Sequence, residues 1–138
     1  MGIRQISVFL ENTTGRLGEV TGILAGANIN IRAISIADTA EFGVLRLIVD
    51  NCDLAVKALS DKGLTIRVTD VVAVEINDVP GSLAGIMDIF RNLKINIEYL
   101  YASLEGKSGK AVVIFKLDDY AKGLEIIKDK GLITVEDF

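Results

Sequence analysis

The chain repeats itself. Gly15 and Gly81, Leu17 and Leu83, and the tripeptides Ile29-Asn30-Ile31 and Ile95-Asn96-Ile97 recur 66 residues apart in a chain of 138. A period close to half the length restricts the fold more than composition can, because whatever one half builds the other builds again. At the same offset Gly43 falls on Gly109, Asp53 on Asp119 and Ala55 on Ala121, and then Asp61–Leu64 matches Asp129–Leu132 at an offset of 68. That change places a two-residue insertion in the second copy's last helix. Two units are expected, 1–70 and 71–138, meeting near Asp70 without a Pro-, Ser- or Gly-rich linker and so held rigidly together.

Each copy reads as the same six elements. "IRQISVFLE" alternates with Ile6, Val8 and Leu10 on one face, and "VVAVEIN" does so with Val72, Val74 and Ile76, which predicts strands. Leu17, Val20, Ile23 and Leu24 then form a helical stripe, as do Leu83, Ile86, Met87 and Phe90. Second strands follow at "INIRAISIA" and "INIEYLYAS", and third strands at "GVLRLIVD" and "KAVVIFKLD" after turns at Gly43 and "EGKSG". Second helices starting near Asp53 and Asp119, with those residues as caps, end at Gly63 and Gly131. Fourth strands close the copies at "LTIRVTD" and "LITVEDF". The order βαββαβ in about 70 residues predicts an α+β ferredoxin-like sandwich in two tandem copies. In "KAVVIFKLD" both faces are apolar, so the sheet face away from the helices is expected to be covered by the partner unit or a second chain.

Composition excludes several functions. There is no histidine, which removes the commonest general base and metal ligand and any Ser-His or Cys-His pair. One cysteine, Cys52, forms no internal disulfide, predicts a reducing compartment and reads as an inert thiol. The net charge is −4 and the 15 Lys and Arg residues are scattered, so no nucleic-acid footprint is expected. No apolar run reaches the ~18 residues of a membrane span and no signal peptide is seen, so a cytoplasmic protein without membrane attachment is expected. Neither a metal nor a cofactor is implied.

The turn "NDVPGSL", Asn77 to Leu83, and its looser copy "ENTTGRL", Glu11 to Leu17, together with Asn28-Ile29-Asn30-Ile31 and Lys94-Ile95-Asn96-Ile97, resemble the signatures of ACT domains, small-molecule-sensing modules of amino-acid metabolism. The resemblance covers essentially the whole chain as a tandem pair and includes no catalytic domain. Thr14 stands in place of the family's proline, and Asn28 and Lys94 stand where the family favours glycine. The resemblance implies a free amino acid as ligand, bound at a seam between two units near the first turn and the second strand.

The residues suit that ligand. A helix N-terminus offers unused amides and a positive dipole end to a carboxylate, and Gly15 and Gly81 let it approach closely. Asn12 or Asp78 would accept from the ammonium, Asn30 or Asn96 would donate and accept, and Leu17, Ile31, Leu83 and Ile97 would form apolar walls. The candidate site therefore comprises Asn12, Thr13, Thr14, Gly15, Arg16, Leu17, Asn28, Ile29, Asn30 and Ile31, with Asp78, Val79, Pro80, Gly81, Ser82, Leu83, Asn96 and Ile97. Plainer roles stand beside these: folding glycines, turn or capping polar residues, core leucines, and asparagines that set strand register. Tyr99 and Tyr101 read as packing residues. The second strands, with few charges, are expected to pair along Ile29–Ala37 and Ile95–Ser103, giving one eight-stranded antiparallel sheet. The two-sided apolar strands imply a homodimer. Two other functions fit the same residues: an assembly module that needs no ligand, and a small carboxylate enzyme using Glu11 and Asp78.

Overall fold

The computed structural model describes residues 2–39, 41–104 and 108–136. Eleven elements follow in order: β1 (Ile3–Glu11), α1 (Arg16–Gly26), β2 (Ile31–Asp38), β3 (Phe42–Val49), α2 (Cys52–Asp61), β4 (Thr65–Asn77), α3 (Ser82–Asn92), β5 (Ile97–Ala102), β6 (Lys110–Leu117), α4 (Tyr120–Asp129) and β7 (Ile133–Thr134). Two compact units result, Arg4–Thr69 and Asp70 onward, the latter with Gly2 and Ile3. Each is a βαββαβ unit with antiparallel strands, as the alternation predicts. Seven strands rather than eight are described because "TIRVTDVVAVEIN" contains no turn residue, so the chain runs through the repeat boundary as one strand, β4.

In the first unit the strand order is β2-β3-β1-β4. Glu11 pairs with Phe42 at one end of the sheet, and Ile31 with Val49 at the other. Ile6, Val8 and Leu10 face Val20 and Leu24 of α1 and Ala55 and Leu59 of α2 across the core. In the second unit the order is β5-β6-β4-β7, and Val72 and Val74 share a core with Ile86, Phe90, Phe115 and Ile127. The rings of Phe90 and Phe115 lie 5.8 Å apart at 59°. Each such fully buried side chain contributes about 1.5–3 kcal/mol, so the stripes read from the sequence are what hold the helices down. The opposite sheet face is also buried, at Ala33 and Ile48 in the first unit and at Val112 and Ile114 in the second.

Four expectations are corrected. The two extra residues of the second copy lie between β5 and β6, not in the last helix, since α2 and α4 are both 10 residues long. Strand register shows the change already made: Leu10 pairs with Gly43, and its repeat mate Ile76 pairs with Ala111. Gly43 therefore corresponds to Ala111 rather than Gly109, and part of the "EGKSG" turn lies outside the described residues. Secondly, Asn51 and not Asp53 caps α2, its side chain accepting from the Leu54 amide, while Asp119 caps α4 by accepting from Lys122. Thirdly, among the described residues β2 is paired by β3 and β5 by β6, so the pairing of Ile29–Ala37 with Ile95–Ser103 inside the chain is not formed. The strand read at "LITVEDF" is reduced to two residues, with Val135 adding one bond to the Ala73 carbonyl, and its last two residues lie outside the described set.

Candidate ligand-binding site

The four helices end alike. Asn28, Gly63, Lys94 and Gly131 all take positive φ. The amide of each donates to the carbonyl three residues back, and the next amide reaches the carbonyl five residues back, as Ile29 does to Leu24 at 2.9 Å and Ile95 to Phe90 at 2.9 Å. Asn28 and Lys94 are thus helix terminators, and Ile29 is a core residue at 6% exposure. Asparagine tolerates this backbone, whereas lysine there is strained.

The helix beginnings differ. Side chains cap α2 and α4, but among the described residues no side chain caps α1 or α3. Both uncapped helices start after a left-handed glycine, Gly15 at φ 87° and Gly81 at φ 89°. The first helical bonds run from Glu19 to the Gly15 carbonyl and from Gly85 to the Gly81 carbonyl. Among the described residues the amides of Leu17 and Gly18, and of Leu83 and Ala84, therefore have no acceptor. Backbone bonds hold the turns from behind: Asn12 donates to the Glu41 carbonyl at 2.9 Å and Asp78 to the Gly109 carbonyl at 3.0 Å. The side chains of Asn12 and Asp78 cap nothing, which removes the capping role weighed for them.

Leu17 and Leu83 are more than a third exposed and belong to neither core, so they are not the core leucines their spacing suggested. They sit on the first helical turn. Thr13, Thr14, Val79 and Pro80 are exposed in the turns, and Arg16 and Ser82 are partly buried. The Arg16 guanidinium bonds Glu19 at 3.1 Å and Glu11 at 3.5 Å, and the Glu19 hydrogen bond followed by the charge of Glu11 raises its pKa. A depression of about 250 Å³ opens beside these three residues and Lys62.

Asn30 and Asn96 precede β2 and β5. Asn30 N–H donates to Asp50 Oδ1 at 3.1 Å and its carbonyl accepts from Asp50 N–H at 3.1 Å; Asn96 and Asp118 repeat the exchange at 3.1 and 3.0 Å. The partners Asp50 and Asp118 were missed in the sequence, because at an offset of 68 they do not coincide in the 66-residue comparison. Ile31 and Ile97 pack against their unit's core. Within a unit, each asparagine lies at the opposite end of the sheet from its turn. The seven strand steps from Phe42 to Val49 separate them by roughly 20 Å, so one unit does not bring both motifs together.

Other groups offer little chemistry. Partial burial raises the Cys52 pKa, so the thiol is protonated at neutral pH. Tyr101 is buried and Tyr99 half-buried, consistent with packing. Among the described residues no group of three or more His, Cys, Asp or Glu is placed to hold a metal, and no helix is long and apolar enough to cross a membrane.

Comparison with known proteins agrees with this architecture. The crystal structure of a protein from Bacteroides thetaiotaomicron is similar at 39% identity and a TM-score of 0.92, over 98% of this chain and 92% of that one. The regulatory subunits of aspartate kinase from Thermus thermophilus (18% identity, TM-score 0.67, covering 91% and 90%) and Thermus flavus (18%, 0.63, covering 89% and 86%) share the fold. A search of curated protein sequences returns no match. The family model described as an ACT domain pair matches residues 1–138, and the chain belongs to that family of paired ACT domains.

Proposed function

We propose that this chain is a non-catalytic regulatory module that binds a free amino acid at the first turns of α1 and α3. Its two domains are 1–70 and 71–138, and it acts in the cytoplasm as a homodimer, with no cofactor, nucleic acid or membrane partner. One observation carries the reading: of four helices built alike, the two that start at the glycine turns are the two without a side-chain cap. Two unused amides at a positive dipole end match a carboxylate. The exposed Leu17 and Leu83 supply apolar contact, and Asn12 and Asp78 keep side-chain oxygens free for an ammonium.

The separation of turn and asparagine within a unit supports a site that is completed from outside the unit. β2 and β5 each have one paired edge in their own unit. An antiparallel neighbour on the open edge, supplied by a second copy, sets its own asparagine end beside the turn. Asn30 and Asn96 then join the ligand across the seam, one site for each turn.

An amino acid of about ten non-hydrogen atoms at roughly −0.5 kcal/mol each binds with about −5 kcal/mol, a Kd near ~0.2 mM. Such affinity suits sensing of a pool. The test is calorimetry of the full chain against the twenty amino acids. Binding of one or a few in the sub-millimolar range is expected, and heat from none would end the proposal.

A ligand-independent assembly module is the second reading. It is favoured by the exposed Phe9, Ile36 and Phe42 at one end of the first unit's sheet. Asn30→Ala with Asn96→Ala separates the two: under the first reading binding is lost, and under the second the protein is a dimer that never bound.

A further inference from the structure

The strained residue Lys94 singles out one end of the second unit. Of the four positions that terminate helices with positive φ, two are glycine and one is asparagine, the residues that tolerate that backbone. Only Lys94, at φ 59°, sets a long charged side chain there. Strained backbone that persists is a pointer to function. A second cation lies beside it: Lys122 Nζ donates to the Leu93 carbonyl at 3.2 Å. The corresponding positions of the first unit hold Asn28 and Leu54, so these two positions carry cations in one copy and uncharged side chains in the other.

The carboxylates nearby are already engaged. Asp118 accepts from the Asn96 amide and Asp119 caps α4 at the Lys122 amide. Lys94 is exposed, two residues before Asn96, and no acceptor for its ammonium is found among the described residues. Helix-end stabilisation does not require it, since Arg91 already supplies a basic group in the last turn of α3.

We infer that Lys94, with Lys122 beside it, makes the site containing Asn96 selective for an amino acid with an acidic side chain. This rests on the amino-acid-binding reading above. The ammonium pairs with the side-chain carboxylate while the α-carboxylate occupies the helix amides. The site containing Asn30, with Asn28 in place of Lys94, has no such preference.

Calorimetry on the full chain tests it with L-aspartate and L-glutamate against their uncharged amides, L-asparagine and L-glutamine. The wild-type protein is expected to favour the acid over its amide by about two- to fivefold, the weight of one partly screened ion pair. Lys94→Asn, which copies the first unit, removes that preference with a Tm no lower than wild type, and Lys94→Arg keeps it. Equal binding of acid and amide by the wild type, or an undiminished preference in Lys94→Asn, overturns the inference while leaving the general reading intact. If no amino acid binds the wild type, the general reading fails and this one falls with it.

Discussion

Single residues carry two kinds of information here, and the asparagine and aspartate positions show both. Asn30 and Asn96 are legible as exceptions in otherwise apolar strands, but their fixed partners Asp50 and Asp118 are not, because those sit 20 and 22 residues away. Charge placement is likewise invisible until the chain is folded. Arg4 reaches Asp53 at 2.8 Å, and this hydrogen bond followed by the Arg4 charge lowers the Asp53 pKa. A depressed carboxylate pKa adds stability above the unfolded-state value, about 3.9, and that stability is lost as pH falls through the folded value. Asp53→Asn is therefore expected to lower stability slightly at pH 7 and to match wild type at pH 2. Urea unfolding at the two pH values checks it, and an equal deficit at both would show that the ion pair is not the cause.

Elements were the most legible level, since each helix stripe and strand alternation needs only local periodicity. Helix ends were legible where glycine marked them, and so was the Asp119 start of α4; the start of α2 was not, because Asp53, two residues late, looked as suitable as Asn51. The distinction has a measurable consequence. Asn51→Ala and Asp119→Ala should each cost about 1 kcal/mol, whereas Asn12→Ala and Asp78→Ala, which remove no cap, should cost less than about 0.5 kcal/mol in the same urea titrations. A second comparison uses the repeat directly. A methyl group on Gly123 would lie 2.2 Å from Leu117 Cδ1, while the first unit holds the smaller Val49 and the larger Ala55 at these places. Gly123→Ala should therefore be more favourable by about 1–2 kcal/mol in a Leu117→Val background than in wild type, and a double-mutant cycle measures that coupling. Additive effects would mean the two sites do not trade volume.

At the scale of the whole molecule the repeat was readable and its completion was not. Duplicate motifs announced two units, yet an identity-based offset drew the insertion into the wrong element, because Gly43 and Gly109 match by letter and not by register. Turn and asparagine stay apart within one unit for a physical reason: an 11-residue helix carries the chain about 16 Å from one to the other. In the proposed site, what joins the two motifs comes from outside the unit. Everything functional rests on the amides at the starts of α1 and α3 being open to a ligand. Amide-resolved NMR during amino-acid titration tests that most directly. The account predicts that a binding amino acid shifts the Leu17 and Gly18 or the Leu83 and Ala84 resonances first and furthest. A ligand that binds while leaving all four unmoved would contradict it.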